Sequence, residues 1–599
     1  MMSAARQDVA ALPDAMARGL VLLGRALPWV ALLAVAITLP FVANNYWAVI
    51  ASRAAIYWVL VAGLNLVVGF AGQLAIGYVA LLTLGAYTSS VLVARLGLDP
   101  FVSFAAAGAV GAIAGVVVGL PALRLRTFYF AMTTLGFATI VTQVALAWQS
   151  VTGGGVGVAG PVMPAPFDTP WGFYVFCLVC AALSTWVTMN VARSRFGRAL
   201  VALRDAEVAA EANGVSKPAL LLSVFLLSGG SAAVAGGLFA TLQSYITPDA
   251  FTFDLSVLFF IAILIGGRGS ILGPLLGTIL LTVLPEFAAP LVAWSTFLYA
   301  ALLLAIVLLM PGGIADLLDF RNRTALADDR AILPRPALLS AMLDHIAARD
   351  SIMLRGVVLS FGGVRAIDGL DLDIRPGEVH GLIGPNGSGK TTTLNVISGF
   401  NAPEAGTVLL GTAPMRAGTP WTRAAHGIAR TFQTPRSIGE ASVLENVMVG
   451  GTIAGRGTLL ESLFTLPRHR TDERLLTERG MQALRIVGLD ALAGVRADRL
   501  QHSELRFMEI ARALMLHPAF LLLDEPAAGL SAEEIRRLGE LIVQISRRGT
   551  GILLVEHHAD LIFDICDRIT VLNLGRQLAA GTPAQIRAHK EVVSAYLGG

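Results

Sequence analysis

Gly384-Pro385-Asn386-Gly387-Ser388-Gly389-Lys390-Thr391-Thr392 decides how this chain is read, because it has the spacing G-x-x-x-x-G-K-[ST] of a phosphate-binding loop. Gly384, Gly387 and Gly389 let the backbone curl so that its N–H groups face a polyphosphate. Asn386 and Ser388 sit inside the curl, Lys390 brings a point charge to the outer phosphates, and Thr391 offers a hydroxyl to magnesium. The flanks agree: Glu378 to Ile383 reads as a short strand, and Thr392 to Ile397 opens a helix whose N-terminus favours an anion. Lysine is scarce in this chain, only Lys217, Lys390 and Lys590, and one of the three occupies this slot.

Working outward, the 599 residues are 55% hydrophobic and 14% charged, with a mean hydropathy of +0.70, too apolar for a chain soluble throughout. The apolar excess lies before about residue 315, in runs of about 20 residues that can cross a bilayer. Candidate spans are 29–43, 54–69, 74–95, 101–120, 126–147, 172–192, 218–242, 254–266, 272–290 and 293–310, about ten crossings. The segment 254–266 is short, and the glycine-broken Gly69-Phe70-Ala71-Gly72 suits an interrupted or re-entrant helix. Arg6, Arg18 and Arg25 precede the first run without a small-residue cleavage site, so that run reads as a retained span behind a cytoplasmic segment 1–28.

The positive-inside rule gives an orientation. Arg124 and Arg126 on one side and Arg193, Arg195, Arg198 and Arg204 on another belong inside, two spans apart, and continued alternation puts the end of the last span inside too. A net charge of +3 with scattered arginines speaks against nucleic acid as a partner. All nine histidines lie at or after His345, so the apolar half has none for a metal site or proton relay. Three cysteines make no disulfide framework, and Cys177 and Cys180, inside an apolar run, read as packing residues.

The most polar loop of the apolar half runs from Val191 to Lys217. Its stretch Arg204-Asp205-Ala206-Glu207, continuing through Glu211 to Gly214, reads as a short helix with a glycine C-cap. Arg204, Asp205, Glu207, Glu211 and Gly214 are candidate residues of a coupling helix that docks on an ATPase. The polar shift 316–350 reads as a linker, and a soluble α/β domain is expected over 351–599. There Phe520 to Leu523 is a buried strand ending in Asp524 and Glu525, one acid suited to hold magnesium through water and the next to polarise the attacking water. A second apolar strand, Gly551 to Val555, ends in Glu556-His557-His558, where a histidine can sense the γ-phosphate.

Taken together, these residues resemble the nucleotide-binding domain of ABC transporters over nearly all of 351–599. The resemblance implies that Phe361 stacks on adenine, Gln433 is the Q-loop residue, Asp524 and Glu525 are the Walker B pair, and His557 is the switch histidine. It also implies ATP and Mg²⁺ as cofactors, with Thr391, Gln433 and Asp524 toward the metal. The family signature should fall at Leu500-Gln501-His502-Ser503-Glu504, where Gln501 and Ser503 replace the usual serine and a close-approach glycine, and Glu504 closes the motif. A site built on this signature is expected to hydrolyse poorly, and the phosphate loop to be served by a normal partner signature.

The apolar half, 29–315, resembles the permeases of branched-chain (hydrophobic) amino-acid importers. The resemblance rests on Leu64 to Gln73 with Gly85-Ala86-Tyr87, Thr133 to Phe137, Thr152-Gly153-Gly154, Ser194 to Arg198 with Leu203-Arg204-Asp205, and Gly266 to Pro274. Tyr78 stands where that pattern suggests histidine. Ala429 to Gln433 and Glu525 to Leu530 resemble the ATP-binding subunit of the same importers. The expectation is a polytopic all-α membrane domain fused to a P-loop ATPase, in the bacterial inner membrane with the ATPase cytoplasmic. The resemblance further implies a second permease subunit, a second ATPase subunit and a periplasmic solute-binding protein. A urea or short-amide importer is the alternative substrate reading, and an exporter the alternative direction.

Overall fold

The computed structural model describes residues 14–125, 127–288, 332–343, 350–415, 418–455 and 457–592, with 297, 300–301, 304–305, 308–310 and 312–318; for 14–26 it describes the backbone alone. Most of the candidate span 293–310, most of the linker 316–350, and Arg126 lie outside the described residues. The chain divides into two compact units, one of residues 1–189 with 221–326 and one of 190–220 with 327–599.

The first unit is helical. In order come α1 (Asp14–Val42), α2 (Asn45–Asn65), α3 (Val79–Leu96), α4 (Pro100–Gly119), α5 (Thr127–Ala147) and α6 (Pro170–Arg193). After α7 (Arg195–Asp205) and α8 (Glu207–Ala212), which pack in the second unit, come α9 (Lys217–Gln243), α10 (Phe253–Gly266) and α11 (Leu272–Ala288). Among the described residues seven helices are long and apolar enough to cross a membrane. The expected spans 29–43 and 272–290 form shorter apolar helices, Leu27–Val42 and Leu272–Phe287. The span expected over 54–69 starts nine residues earlier. Asn44 caps α2 by accepting from the Trp47 N–H, and Arg53 lies 3.6 Å from Glu286, so polar residues that depress hydropathy are still helical.

α2 ends in a π-turn, Leu66–Phe70, and residues 72–77 are neither helix nor strand. Thr134 of α5 satisfies this stretch by accepting from the N–H groups of Ile76 (3.2 Å) and Gly77 (3.3 Å). α4 and α9 approach at Gly111 and Gly229, where a Cβ on either would lie within 2.4 Å of the other's carbonyl oxygen. Elsewhere apolar side chains face outward: Val175, Val179 and Leu183, one helical turn apart on α6, are all exposed, as a lipid-facing stripe would be.

The second unit is α/β. β1 (Ile352–Phe361), β2 (Val364–Ile374) and β4 (Ala405–Leu410) form an antiparallel sheet with the two-residue strand Ala413–Pro414. A six-stranded sheet runs β9-β8-β3-β7-β6-β5, from β3 (Val379–Ile383), β5 (Ile428–Arg430), β6 (Phe520–Asp524), β7 (Gly551–Val555), β8 (Arg568–Asn573) and β9 (Arg576–Gly581), parallel except at the β8/β9 edge. The central strands read as unbroken apolar runs because both faces are covered. Leu521, Leu523, Ile552 and Leu554 point into a core built with the helices, including α14 (Pro467–Val487), α15 (His502–Leu514) and α16 (Ala532–Arg547). Phe520, Leu522, Leu553 and Val555 point the other way, onto the antiparallel sheet.

Candidate functional site

Four parallel strands, β3, β7, β6 and β5, end on one edge of the six-stranded sheet. Their register pairs Leu382 with Val555, Val555 with Asp524, and Leu522 with Arg430, so whatever follows each strand converges there. After β3 comes the phosphate loop; after β6, Glu525; after β7, Glu556 and His557; after β5, Thr431 to Gln433.

The loop leads into α12 (Lys390–Ile397). Two of its glycines are required by space as well as conformation: at Gly384 (φ +151°) a Cβ would lie 2.2 Å from the Leu572 carbonyl oxygen, and at Gly389 (φ +103°) 2.5 Å from that of Ala366. Asn386, Gly387 and Thr391 are exposed, Thr392 is half-buried, and Ser388 and Lys390 are buried. The Lys390 ammonium donates to the carbonyls of Gly384 (2.7 Å) and Pro385 (3.0 Å), which aims it along the loop. Burial lowers its pKa, and the charges of Glu525 and Asp524 oppose that shift.

Three candidate side chains meet at Glu525. Gln433 Nε2 donates to its Oε2 at 2.8 Å, and His557 Nε2 lies 2.9 Å from its Oε1. Glu525 adopts φ +49°, a left-handed backbone that costs a non-glycine residue about 1–3 kcal/mol. Its N–H is tied to the Val555 carbonyl at 2.8 Å, which fixes the carboxylate over the strand ends. Next to it, Asp524 is buried and 3.3 Å from the Arg430 guanidinium; burial raises its pKa, and Arg430 pulls the other way. The Asp524 Oδ1 atom is buried with no hydrogen-bonding partner among the described residues. A buried carboxylate oxygen left open on Asp524, with Thr391 and Gln433 exposed, fits a magnesium ion, which usually keeps several waters and takes few protein ligands. No cluster of three or more His, Cys, Asp or Glu capable of holding a metal occurs among the described residues.

Phe361 is exposed at the end of β1, away from the Glu525 cluster's hydrogen bonds. Gln501 is the N-cap of α15, and Glu504 completes a capping box by accepting from the Gln501 N–H at 2.8 Å. His502 Nε2 lies 3.1 Å from the Ala528 carbonyl oxygen, and Glu534 at the start of α16 accepts from Ser531, whose bonds hold its carboxyl below the usual range.

Residues 190–220 pack within the second unit. Arg195 N–H and Arg198 Nη2 both donate to Glu473 at 2.7 Å, and Arg195 also reaches the carbonyls of Thr452 and Gly457. Arg204 pairs with Asp205 (2.7 Å) and Glu440 (3.2 Å), and Lys217 with Glu207 (2.5 Å). Burial raises the Glu211 pKa, with Glu207 adding to the shift. At Gly214 (φ +86°) a Cβ would overlap Ile453. Ala206, which precedes α8, and Ala209 and Ala212 on it share an apolar cluster with Phe432 and Phe400.

Two arginines that sequence reasoning left without roles shape the site. Arg506 on α15 donates to the carbonyls of Phe432 (2.8 Å) and Gln433 (2.5 Å), clamping the backbone that carries Gln433. Arg430 joins Asp524 to Asn395 (2.6 Å) and Ser398 (2.9 Å) of the α12 region and lies over the Phe432 ring at 5.1 Å. The available signal was a charge in a buried setting: Arg506 and Arg512 lie among the apolar residues of a helix buried from Arg506 to Leu514.

Family models place these halves. Residues 46–310 match the permease component of branched-chain amino acid transport systems, 367–528 match the ABC transporter model, and 576–599 match the branched-chain amino acid ATP-binding cassette transporter model. The high-affinity branched-chain amino acid transport ATP-binding protein LivG of Escherichia coli K12 is 39% identical over 249 residues, 41% of this chain and 97% of the relative. BraF of Pseudomonas aeruginosa is 38% identical over 253 residues, 42% and 99%. A crystal structure of a nucleotide-free ATP-binding cassette from an ABC transporter aligns at 30% identity and TM-score 0.37, over 42% of this chain and all of its own. With a permease match before the phosphate loop and a cassette match around it, the chain belongs to the branched-chain amino acid ABC transporter family and carries permease and ABC ATPase on one polypeptide.

Proposed function

We propose that the chain imports branched-chain or other hydrophobic amino acids across the bacterial inner membrane at the expense of ATP. Its partners on this reading are a second permease, a second ATPase subunit and a periplasmic solute-binding protein. The observation that carries the reading is the convergence of Gln433 and His557 on Glu525, one residue from the Phe432 contact with α8. Glu525 accepts the proton of the attacking water while Gln433 and His557 hold its two oxygens. Lys390 and the loop N–H groups neutralise the β- and γ-phosphates, and Phe361 stacks on adenine. Thr391, Gln433 and Asp524 would hold a magnesium ion, which would supply charge neutralisation at the phosphates.

Closure around ATP moves Gln433, Phe432 moves with it, and α8 transmits the shift to the spans that flank 190–220 in sequence. Arg506→Ala tests this linkage. It is expected to lower the maximal ATPase rate about tenfold with little change in the ATP concentration at half-saturation, because the clamp positions Gln433 without touching nucleotide. A rate equal to the parent would remove Arg506 from the path.

The signature Gln501-His502-Ser503-Glu504 makes the two composite ATP sites unequal on this reading, with the phosphate loop served by the partner's signature. Gln501→Ser combined with Ser503→Gly is expected to leave uptake intact or raise ATPase activity, read as phosphate release beside radiolabelled uptake. Loss of uptake in that variant overturns the degenerate-site reading. Direction is tested with leucine in right-side-out and inverted membrane vesicles: ATP-driven accumulation confined to inverted vesicles would make the chain an exporter. Transport of urea or a short amide in place of leucine would move it to that substrate class.

A further inference from the structure

In the first unit a groove of about 350 Å³ runs between α3 and α5, within the size range of small-molecule sites. Thr83, Tyr87 and Thr88 line one side, Val141 and Val144 the other, and Trp148 lines it where both helices stop. The residues recur three or four apart, so a single face of each helix forms the wall. Tyr87 is 6% exposed, yet its hydroxyl has no hydrogen-bonding partner among the described residues. Thr83 donates to the Val79 carbonyl and Thr152 to that of Ala145, which leaves the Tyr87 hydroxyl for a guest.

Charges of both signs flank the groove, one where the helices stop and one on the segment packed against Tyr87. Arg95, exposed on the last turn of α3, donates to the carbonyl of Val151, a lining residue. Asp249 is exposed and lies two residues before Phe251, whose ring packs against Tyr87 at 6.0 Å. An apolar slot with an unused buried hydroxyl and a two-signed rim suits a zwitterion with an aliphatic tail. The tail enters, and the charged head stays at the polar rim because burying it unpaired is costly.

The geometry points to the α3–α5 groove as a binding site, inside the permease itself, for an aliphatic amino acid. Its side chain lies along Val141 and Val144, its carboxylate lies toward Arg95, and its ammonium lies toward Asp249 and donates to the Tyr87 hydroxyl. This rests on the import reading above and adds a place for substrate apart from any solute-binding protein.

The test is protection from a small methanethiosulfonate reagent. It uses the full-length chain in membranes, alone and with its partner subunits, with Cys177, Cys180 and Cys566 replaced by alanine. Thr88→Cys and Val144→Cys, made separately so that one misfolded variant does not decide the result, are expected to react about fivefold more slowly in leucine and at an unchanged rate in glutamate. Adding Tyr87→Phe should shift the half-protecting leucine concentration upward about fivefold, the loss of one hydrogen bond. Equal rates with leucine and glutamate at both positions overturn the site. So does a cysteine that reacts in the isolated chain but is silent in the complex with or without leucine, which makes the groove a subunit interface. Protection by leucine in a chain whose complex transports none keeps the site and overturns the import reading; transport without protection does the reverse.

Discussion

Glu525→Gln is expected to reduce steady-state phosphate release by about 10²–10⁴-fold, the usual span for removing a general base, while ATP still binds. The amide keeps the shape of the side chain, and its oxygen can still accept from Gln433, which donates at 2.8 Å to Oε2. What disappears is a carboxylate able to take a proton from water at the strand ends. His557, 2.9 Å from Oε1, faces an amide N–H in the variant and keeps the contact only by accepting at Nε2. The measurement is phosphate release beside fluorescent-nucleotide binding on the assembled transporter. Hydrolysis within tenfold of the parent would take the base role from Glu525 and leave it with His557.

Lys390→Ala is expected to weaken ATP binding about 10- to 100-fold, the worth of one charged hydrogen bond, and to abolish uptake. Lys390 is 6% exposed and held by the carbonyls of Gly384 and Pro385, so its charge is already in place before nucleotide arrives. Alanine also leaves those two carbonyls without the ammonium. Nucleotide titration of the variant decides the point, and affinity equal to the parent would show that the loop N–H groups suffice alone.

Both predictions rest on features that can be read from contiguous residues. A phosphate loop is local: its glycines, lysine and threonine act within nine positions, so Gly384 to Thr392 is legible without any fold. Strands buried on both faces announce themselves as short apolar runs, which is why Phe520 to Leu523 and Gly551 to Val555 could be assigned before their partners were known. The long spans are legible for the same local reason. Their edges are not, because Asn45, Tyr46 and Arg53 lower the hydropathy of a helix that capping and the Glu286 contact sustain.

What escaped the sequence depends on distant partners. Arg430 and Asp524 are 94 positions apart and Arg506 and Phe432 are 74 apart, and no periodicity connects them. The polar segment around Arg204 could be marked as a docking element, but its contact with Phe432 is a property of packed surfaces. Likewise the π-turn and irregular backbone of 66–77 follow a glycine-rich stretch that could equally have continued as helix. The left-handed Glu525 is set by neighbours on β7 rather than by its own residue type.

Residues 190–220 fold into the same compact unit as the ATPase, and that ATPase is joined to them by the chain itself. When a cassette is a separate protein, its seat must bind it from dilute solution. Here the encounter is intramolecular, at an effective concentration that can reach about millimolar for short flexible connections. Stoichiometry is therefore set at translation: each permease brings its own cassette, and the contacts of Arg195 and Arg198 with Glu473 have only to choose an orientation. On the proposed assembly with a second, separate ATPase subunit, competition for a free cassette would be confined to the other half.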